Sequence, residues 1–244
     1  MPRLIHETSV DSTNERAFAA LAAGTARHGD VHVADEQTAG RGSRGRHWHS
    51  PPGAGLYASV VWMPPPPAPA PSALTMAAAL AVRDAALALG ASELVLKWPN
   101  DLLAAGAKLC GILVESRGLD PERPAFVCGI GLNLLQRDFP ADLGGRPATS
   151  LALLGHPCEA ADALAVLLPR LEQRLDQARA APERLAADFA SGAGLATGRA
   201  VLVRRGERTD RGAIEDLRPG GLVLRTPGGS LDLPLEHISA VELL

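Results

Sequence analysis

The sequence predicts an α+β chain in two parts. A mixed β-sheet flanked by helices occupies residues 1–192, and a small all-β unit occupies residues 193–244. Two observations support this. Apolar segments of strand length alternate with long Ala/Leu-rich segments of helix length as far as Ala190. The pattern then breaks at Ser191-Gly192-Ala193-Gly194, and five short β runs follow, the spacing of a small barrel of about fifty residues.

In chain order, Leu4-Ile5-His6 is apolar enough for a first strand. Asp11-Ser12-Thr13-Asn14-Glu15 opens a helix that runs to about Gly24, with Ser12 and Glu15 spaced as a capping box. Val31 to Ala34 reads as a strand entering a Gly/Arg loop, and Leu56 to Trp62 as the strand leaving it. Six prolines between Pro64 and Pro71 make a stiff connector. Ser72 then caps a long helix that Gly90 ends. Leu94-Val95-Leu96, Cys110 to Val114 and Phe126 to Leu134 are further strands, and two helices follow, Glu159 to Arg179 and Pro182 to Ala190. The β runs of the second part are Val201 to Val203, Gly212 to Ile214, Leu222 to Leu224, Leu231 to Leu233 and Ile238 to Leu243. Turns such as Pro219-Gly220-Gly221 and Pro227-Gly228-Gly229 separate them.

Composition narrows the function classes. No stretch approaches the roughly twenty uninterrupted apolar residues that span a bilayer, and the first residues lack the apolar core of a secretion signal. Cys110, Cys128 and Cys158, odd in number and without metal-ligand spacing, read as reduced cytoplasmic thiols. A net charge of −3 argues against a general nucleic-acid coat. Charge is uneven, however. No acidic residue lies between Glu36 and Asp84, and three arginines fall within Gly40-Arg41-Gly42-Ser43-Arg44-Gly45-Arg46, a segment suited to an anionic ligand. Trp48 follows as a candidate stacking face.

The chain has two lysines, Lys97 and Lys108, against twenty-two arginines. Both flank what reads as a single short loop. A lysine is a compact point charge, suited to one developing anion in a tight pocket. Lys97 begins Lys97-Trp98-Pro99-Asn100-Asp101, in which Asp101 offers a carboxylate for a base or a hydrated Mg²⁺. The plainer reading is a turn in which Asn100 and Asp101 bond their own backbone. Lys108 enters the apolar run Leu109 to Val114 and needs a partner there: a bound anion, or a structural pair with Glu115. Gly111 lets backbone or ligand approach closely, and Asn133 ends the last strand, Gly129-Ile130-Gly131-Leu132-Asn133.

Together these segments resemble biotin–protein ligases. That family shows Ser-Thr-Asn at a helix start (Ser12, Thr13, Asn14) and Gln-x-Ala-Gly-Arg-Gly-Arg-x-Gly-Arg-x-Trp (Gln37 to Trp48). It also shows Lys-Trp-Pro-Asn-Asp (Lys97 to Asp101), Lys-Leu-x-Gly-Ile-Leu (Lys108 to Leu113) and Gly-x-Gly-x-Asn (Gly129 to Asn133). The resemblance implies a catalytic domain of the biotin/lipoate ligase type followed by an SH3-like barrel. It implies biotin and ATP as substrates with Mg²⁺, and a biotinyl-5′-adenylate passed to a lysine of a biotin carboxyl carrier protein. Ser12, Thr13, Asn14 and Gln37 would bind the ureido ring. Gly40, Arg41, Gly42, Ser43, Lys108 and Gly111 would surround the biotin carboxylate and acyl phosphate. Arg44, Arg46, Trp48, Lys97, Asn100, Ile112 and Asn133 would serve ATP. Lys108, Arg41 and Asp101 are the implied catalytic groups, with Asp101 assisting the second step or the metal.

Two departures bear on this. Many relatives carry an N-terminal winged helix that binds DNA, whereas here the first motif arrives at Ser12, so the expectation is the enzyme without DNA binding. A homodimer is left open. Ser43 stands where the family's loop usually has a second arginine, which implies weaker retention of the adenylate unless Arg44 or Arg46 substitutes. The rival readings are a lipoate or octanoate ligase of the same fold, and a non-catalytic nucleic-acid-binding module. The first rival lacks its Arg-Arg-x-x-Gly-Gly-Gly loop here, and the second is opposed by the acidic net charge.

Overall fold

A computed structural model of the chain describes residues 3–118, 120–140 and 147–244. Seven strands form one mixed sheet: β1 (Leu4–Val10), β2 (Val31–Gln37), β3 (Gly55–Trp62), β4 (Leu94–Lys97), β5 (Asp101–Ala104), β6 (Ala107–Glu115) and β7 (Phe126–Asn133). Their order is β1-β2-β3-β7-β6-β5-β4, and the pair β1/β2 alone runs parallel. Strands β3 and β7 are buried along their whole length. That explains why both read as continuous apolar runs rather than alternating ones: each face of the sheet is covered.

Helix α1 (Thr13–Ala22) covers one face, where Ala17 and Phe18 pack on Val61 and Val127. Helices α2 (Pro71–Ala88) and α3 (Ala160–Ala180) cover the other. The alanines of α2 let helix, sheet and α3 approach closely, and Pro71 begins the helix where its missing N–H has no intrahelical partner to lose. Gly90, at φ +98°, ends it. Arg174 of α3 bridges Asp84 of α2 at 2.7 Å and Asp188 of α4 (Pro182–Gly192) at 2.6 Å, tying the three helices together.

The remaining strands, β8 (Ala200–Arg205), β9 (Arg208–Arg218), β10 (Gly221–Thr226), β11 (Gly229–Pro234) and β12 (Ala240–Leu243), form a second, antiparallel sheet of order β11-β10-β9-β8-β12. Among the described residues β11 and β12 do not pair, so an open sheet stands where the sequence predicts a barrel. Pro234, which has no N–H to offer a ladder, ends β11, and a 3₁₀ turn (Leu235–His237) carries the chain to a four-residue β12. Val201, Val203, Ile214, Leu222 and Leu224 join the same apolar core as the first sheet. The Trp98 indole spans the two sheets, donating to Ile238 O at 3.1 Å and meeting Phe189 of α4 edge-on.

The structure corrects several local expectations. Residues 101–104, read as loop, form β5, so the two lysines flank a strand. Its turn uses positive φ at Ala105 and Gly106, and Ala-Gly is a weaker hairpin signal than Asn-Gly. Ser12 occupies the N-cap of α1 but its hydroxyl makes no cap bond, and the return bond of a capping box is missing too: the Ser12 N–H donates to Asp11 Oδ1 at 2.7 Å while Glu15 is held by Arg41 and Arg117. Ser72 lies inside α2, not at its cap, and its hydroxyl donates to Glu236 at 2.7 Å.

Candidate functional site

A cavity of about 410 Å³ opens on the α1 face of the first sheet, within the range of small-molecule sites. At one end a chain of polar groups runs from α1 across β2 and β3. The Thr13 N–H donates to Gln37 Oε1 at 2.9 Å, and Gln37 Nε2 donates to Ser50 Oγ at 2.9 Å. The buried Ser59 hydroxyl stands 2.7 Å from Thr13 Oγ1 and donates to Asn14 Oδ1 at 2.6 Å. Asn14 Nδ2 in turn donates to Glu115 Oε2 at 2.8 Å. These bonds fix hydroxyl and amide groups at the cavity wall, as recognition of a flat polar ring requires.

The floor is bare backbone. Gly111 of β6 and Gly131 of β7 are cross-strand partners. A Cβ at Gly131 would lie 2.3 Å from Trp48 Nε1, and one at Gly111 would lie 2.8 Å from Trp48 Cζ3. The Trp48 indole therefore rests flat on a surface that side chains would fill. The Gly/Arg loop delivers it through a narrow neck: the Trp48 N–H donates to Gly40 O at 2.8 Å and the Gly42 N–H to Arg46 O at 2.7 Å. Trp48 Nε1 is buried against Gly131 and, among the described residues, has no hydrogen-bond partner.

Lys108 Nζ lies 5.2 Å from the Trp48 ring centroid and 2.7 Å from Asp101 Oδ1. Of the two partners the sequence left open for Lys108, the Glu115 pair is not made, since Glu115 is held by Asn14 and Arg41. Among the described residues Asp101 is the one carboxylate lining the cavity. Asn100 Nδ2 donates to Ile112 O at 2.7 Å, binding the β4–β5 turn to β6.

Arg41 reaches across the rim to Glu15 and to Glu115, the latter at 2.9 Å. Arg117, stacked on Phe18 with its guanidinium 4.1 Å from the ring centroid, takes the other side of Glu15. The Arg117 guanidinium, with Arg41 beside it, holds the Glu15 carboxyl below the usual carboxylate range. Arg46 folds back on Ser43, donating to its hydroxyl at 2.7 Å, and Arg44 donates at 2.6 Å to Ser239 O, in the link just before β12. The thiols of Cys110 and Cys128 lie in the core, where burial pushes the Cys128 thiol up to about 12. They are not nucleophile candidates.

The cavity thus gathers Ser12, Thr13, Asn14, Gln37, Arg41, Gly42, Ser43, Arg46 and Trp48 with Asn100, Asp101, Lys108, Gly111, Ile112 and Asn133. Lys97, Arg44 and Gly40 do not line it. Gly40 is packed behind the wall, where a Cβ would lie 2.4 Å from Trp48 O. Sequence reasoning missed Ser59, Glu15 and Arg117 as supports, and Gln136, Phe139 and Ala148 as lining. Ser59 could have been found as the one polar residue in the apolar run of β3. The others carry no local signal.

The comparisons agree with this geometry. A family model described as the Biotin/lipoate A/B protein ligase family matches residues 7–133. The biotin–[acetyl-CoA-carboxylase] ligase of Paracoccus denitrificans is 38% identical over 238 residues, covering 93% of this chain and 96% of that one. The enzyme of the same name from Mycobacterium tuberculosis is 40% identical over 183 residues, 73% of this chain and 66% of that one. A solved structure of the biotin protein ligase from Aquifex aeolicus, in complex with biotin and ATP, superposes with a TM-score of 0.81 at 28% identity, covering the whole of both chains.

Proposed function

This chain belongs to the biotin/lipoate A/B protein ligase family, and on that footing we propose that it is a biotin–protein ligase. It joins biotin to ATP as biotinyl-5′-adenylate with release of pyrophosphate. It then transfers the acyl group to one lysine of a biotin carboxyl carrier protein, releasing AMP. One observation supports this above the others: a single cavity gathers five segments far apart in sequence, each with the residue types that one part of the adenylate requires.

In this reading the Thr13, Asn14 and Gln37 wall takes the ureido ring, whose donors and acceptors match groups already held by Ser59 and Ser50. An aliphatic acyl tail would leave those groups unpaired, which disfavours lipoate or octanoate. Lys108 and Arg41 bring positive charge to the carboxylate and the α-phosphate, where negative charge builds in the first step. Asp101, 2.7 Å from Lys108 Nζ, holds that ammonium in place and is the candidate acceptor for a proton in the second step. Mg²⁺ fits as a companion of the phosphates, with Asp101 as its one cavity carboxylate, since this ion keeps most of its oxygen ligands from phosphate and water.

The first 192 residues are assigned to this chemistry and residues 193–244 to an SH3-like unit that buttresses it. Trp98–Ile238 and Arg44–Ser239 support that assignment. No helix is long and apolar enough to cross a membrane among the described residues, and the free cysteines suit the cytoplasm. The test is transfer itself: with biotin, ATP and Mg²⁺, an isolated carrier domain should gain one biotinyl group, and a carrier lacking its acceptor lysine should gain none. Equal labelling of both would end this reading.

A further inference from the structure

Strand alternation alone does not put Lys108 in the cavity. Residues two apart on a strand share a face, and Cys110, two positions along β6, is fully buried on the core face. A regular β6 would turn Lys108 toward α2. The register shows why it does not. Leu102 pairs with Cys110, but the next residue, Leu103, pairs with Lys108, so Leu109 is an extra residue on β6. This is a β-bulge, which re-aims the side chains beyond it. Leu109 and Cys110 both enter the core, and Lys108 returns to the face of Asp101.

The bulge lies near the start of β6, and Lys108 receives support from outside the β5–β6 ladder. The Lys108 N–H donates to Pro147 O at 2.8 Å, and Lys108 O accepts from the Thr149 N–H at 2.9 Å, so a parallel bridge pairs Lys108 with Ala148. The Asn133 amide, at the end of β7, fastens this strap. Its Nδ2 donates to Thr149 O at 2.9 Å and reaches Lys108 O at 3.4 Å. Asn133 is itself 4% exposed, so these bonds are made away from water.

We propose that Asn133 and the Pro147–Thr149 strap are positioning residues for the first chemical step, holding the Leu109 bulge that presents Lys108 to the cavity. The kinetic part rests on the ligase reading; the geometric part does not. Asn133 therefore acts through Lys108, in addition to any contact it makes with a nucleotide. A loss of this support displaces Nζ from the reacting oxygens, and a misplacement of about 1 Å costs on the order of a hundredfold in rate.

The two lysines make the test direct. Lysine-selective isotope labelling of the full chain gives two side-chain signals, Lys97 and Lys108, the latter assigned with Lys108→Arg. The Trp48 ring, 5.2 Å from Lys108 Nζ, displaces the Lys108 signal from that of a free lysine. In Asn133→Asp, whose oxygens can only accept, and in Thr149→Pro, which lacks the strap N–H, the Lys108 signal should move toward the free position while Lys97 stays. Biotin-dependent exchange of pyrophosphate should lose about a hundredfold in kcat in Asn133→Asp, with KM for biotin changed less than about threefold. A Lys108 signal unmoved in either folded variant overturns the proposal. So does a rise in KM for ATP with kcat unchanged, which would make Asn133 a nucleotide contact only. If Lys108 moves as expected but the parent shows no exchange with any acid, the positioning stands and the ligase reading falls.

Discussion

The glycine floor yields the sharpest prediction. In Gly131→Ala the new methyl would sit 2.3 Å from Trp48 Nε1, more than 1 Å inside contact distance. Either the sheet or the indole must give way. Gly131 lies mid-sheet, paired with Tyr57 of β3 on one side and Gly111 of β6 on the other. Forcing that backbone aside is an overpacking event of about 1–3 kcal/mol. The indole is attached to an exposed loop and is only partly buried, so leaving the floor forfeits its contact with Lys108, worth about 0.5–1 kcal/mol, together with part of the ring's packing. The cheaper route wins, so Trp48 should lift. The melting temperature should then fall by no more than about 4 °C, at about 2–4 °C per kcal/mol for a chain this long. Trp62 and Trp98 are buried at 5% and 6% exposure, so new fluorescence quenching by acrylamide would come from Trp48. Biotin-dependent exchange should fall at least about tenfold, the equivalent of 1.4 kcal/mol, because a displaced indole enters the ligand's space. Unchanged quenching together with unchanged exchange would show that the indole does not lie on this floor.

Further outcomes follow from the same geometry. Lys108→Arg, which keeps the charge but replaces a point ammonium with a planar fork, should lower adenylate formation by about a hundredfold or more; near-parental exchange would remove Lys108 from the chemistry. Glu115→Gln keeps the partner of Asn14 but weakens one of the two carboxylate holds on Arg41, so KM for biotin should fall by about two- to fivefold, as expected for an exposed ion pair worth up to about 1 kcal/mol. A rise in KM would mean that Glu115 orients Arg41 rather than competing for it. Ser43→Arg should release the adenylate more slowly in single-turnover assays, and equal release rates would show that Ser43 has no bearing on retention. His32 is buried with neither ring nitrogen bonded among the described residues, and burial lowers its pKa from the ordinary 6.5. The unfolded chain therefore takes up a proton that the folded one resists, so stability is lost as pH falls below about 6.5. His32→Leu should flatten the stability profile between about pH 7.5 and 5.5; an unchanged slope would place the acid sensitivity elsewhere.

The sequence carried the fold where periodicity was clean and the site where residue types were unusual. The Ala/Leu pattern of α2 and the apolar runs of β3 and β7 were legible because burial on both faces admits few polar residues. Of the two lysines among many arginines Lys108 lines the cavity and Lys97 does not, and of the Gly/Arg segment Arg41, Gly42 and Arg46 line it while Gly40 and Arg44 do not. What escaped was whatever tertiary partners decide. The capping role of Glu15 lost to two guanidinium groups, one of them on Arg117, about a hundred residues downstream. Strand β5 has no β-branched residue to announce it, and it exists because β4 and β6 flank it. The Lys108–Asp101 pair depends on a bulge that no local pattern encodes. Closure of the second sheet depends on edge strands, where a proline or a short strand prevails over the count of β runs.

The most direct test of the central claim is exchange of labelled pyrophosphate into ATP by the purified chain with Mg²⁺, run with biotin, lipoate, octanoate or no acid. The account predicts exchange with biotin alone, since only a ureido ring satisfies the groups held by Gln37, Ser50 and Ser59. Exchange with lipoate or octanoate would contradict the assignment of that wall. No exchange with any acid would contradict the ligase chemistry itself.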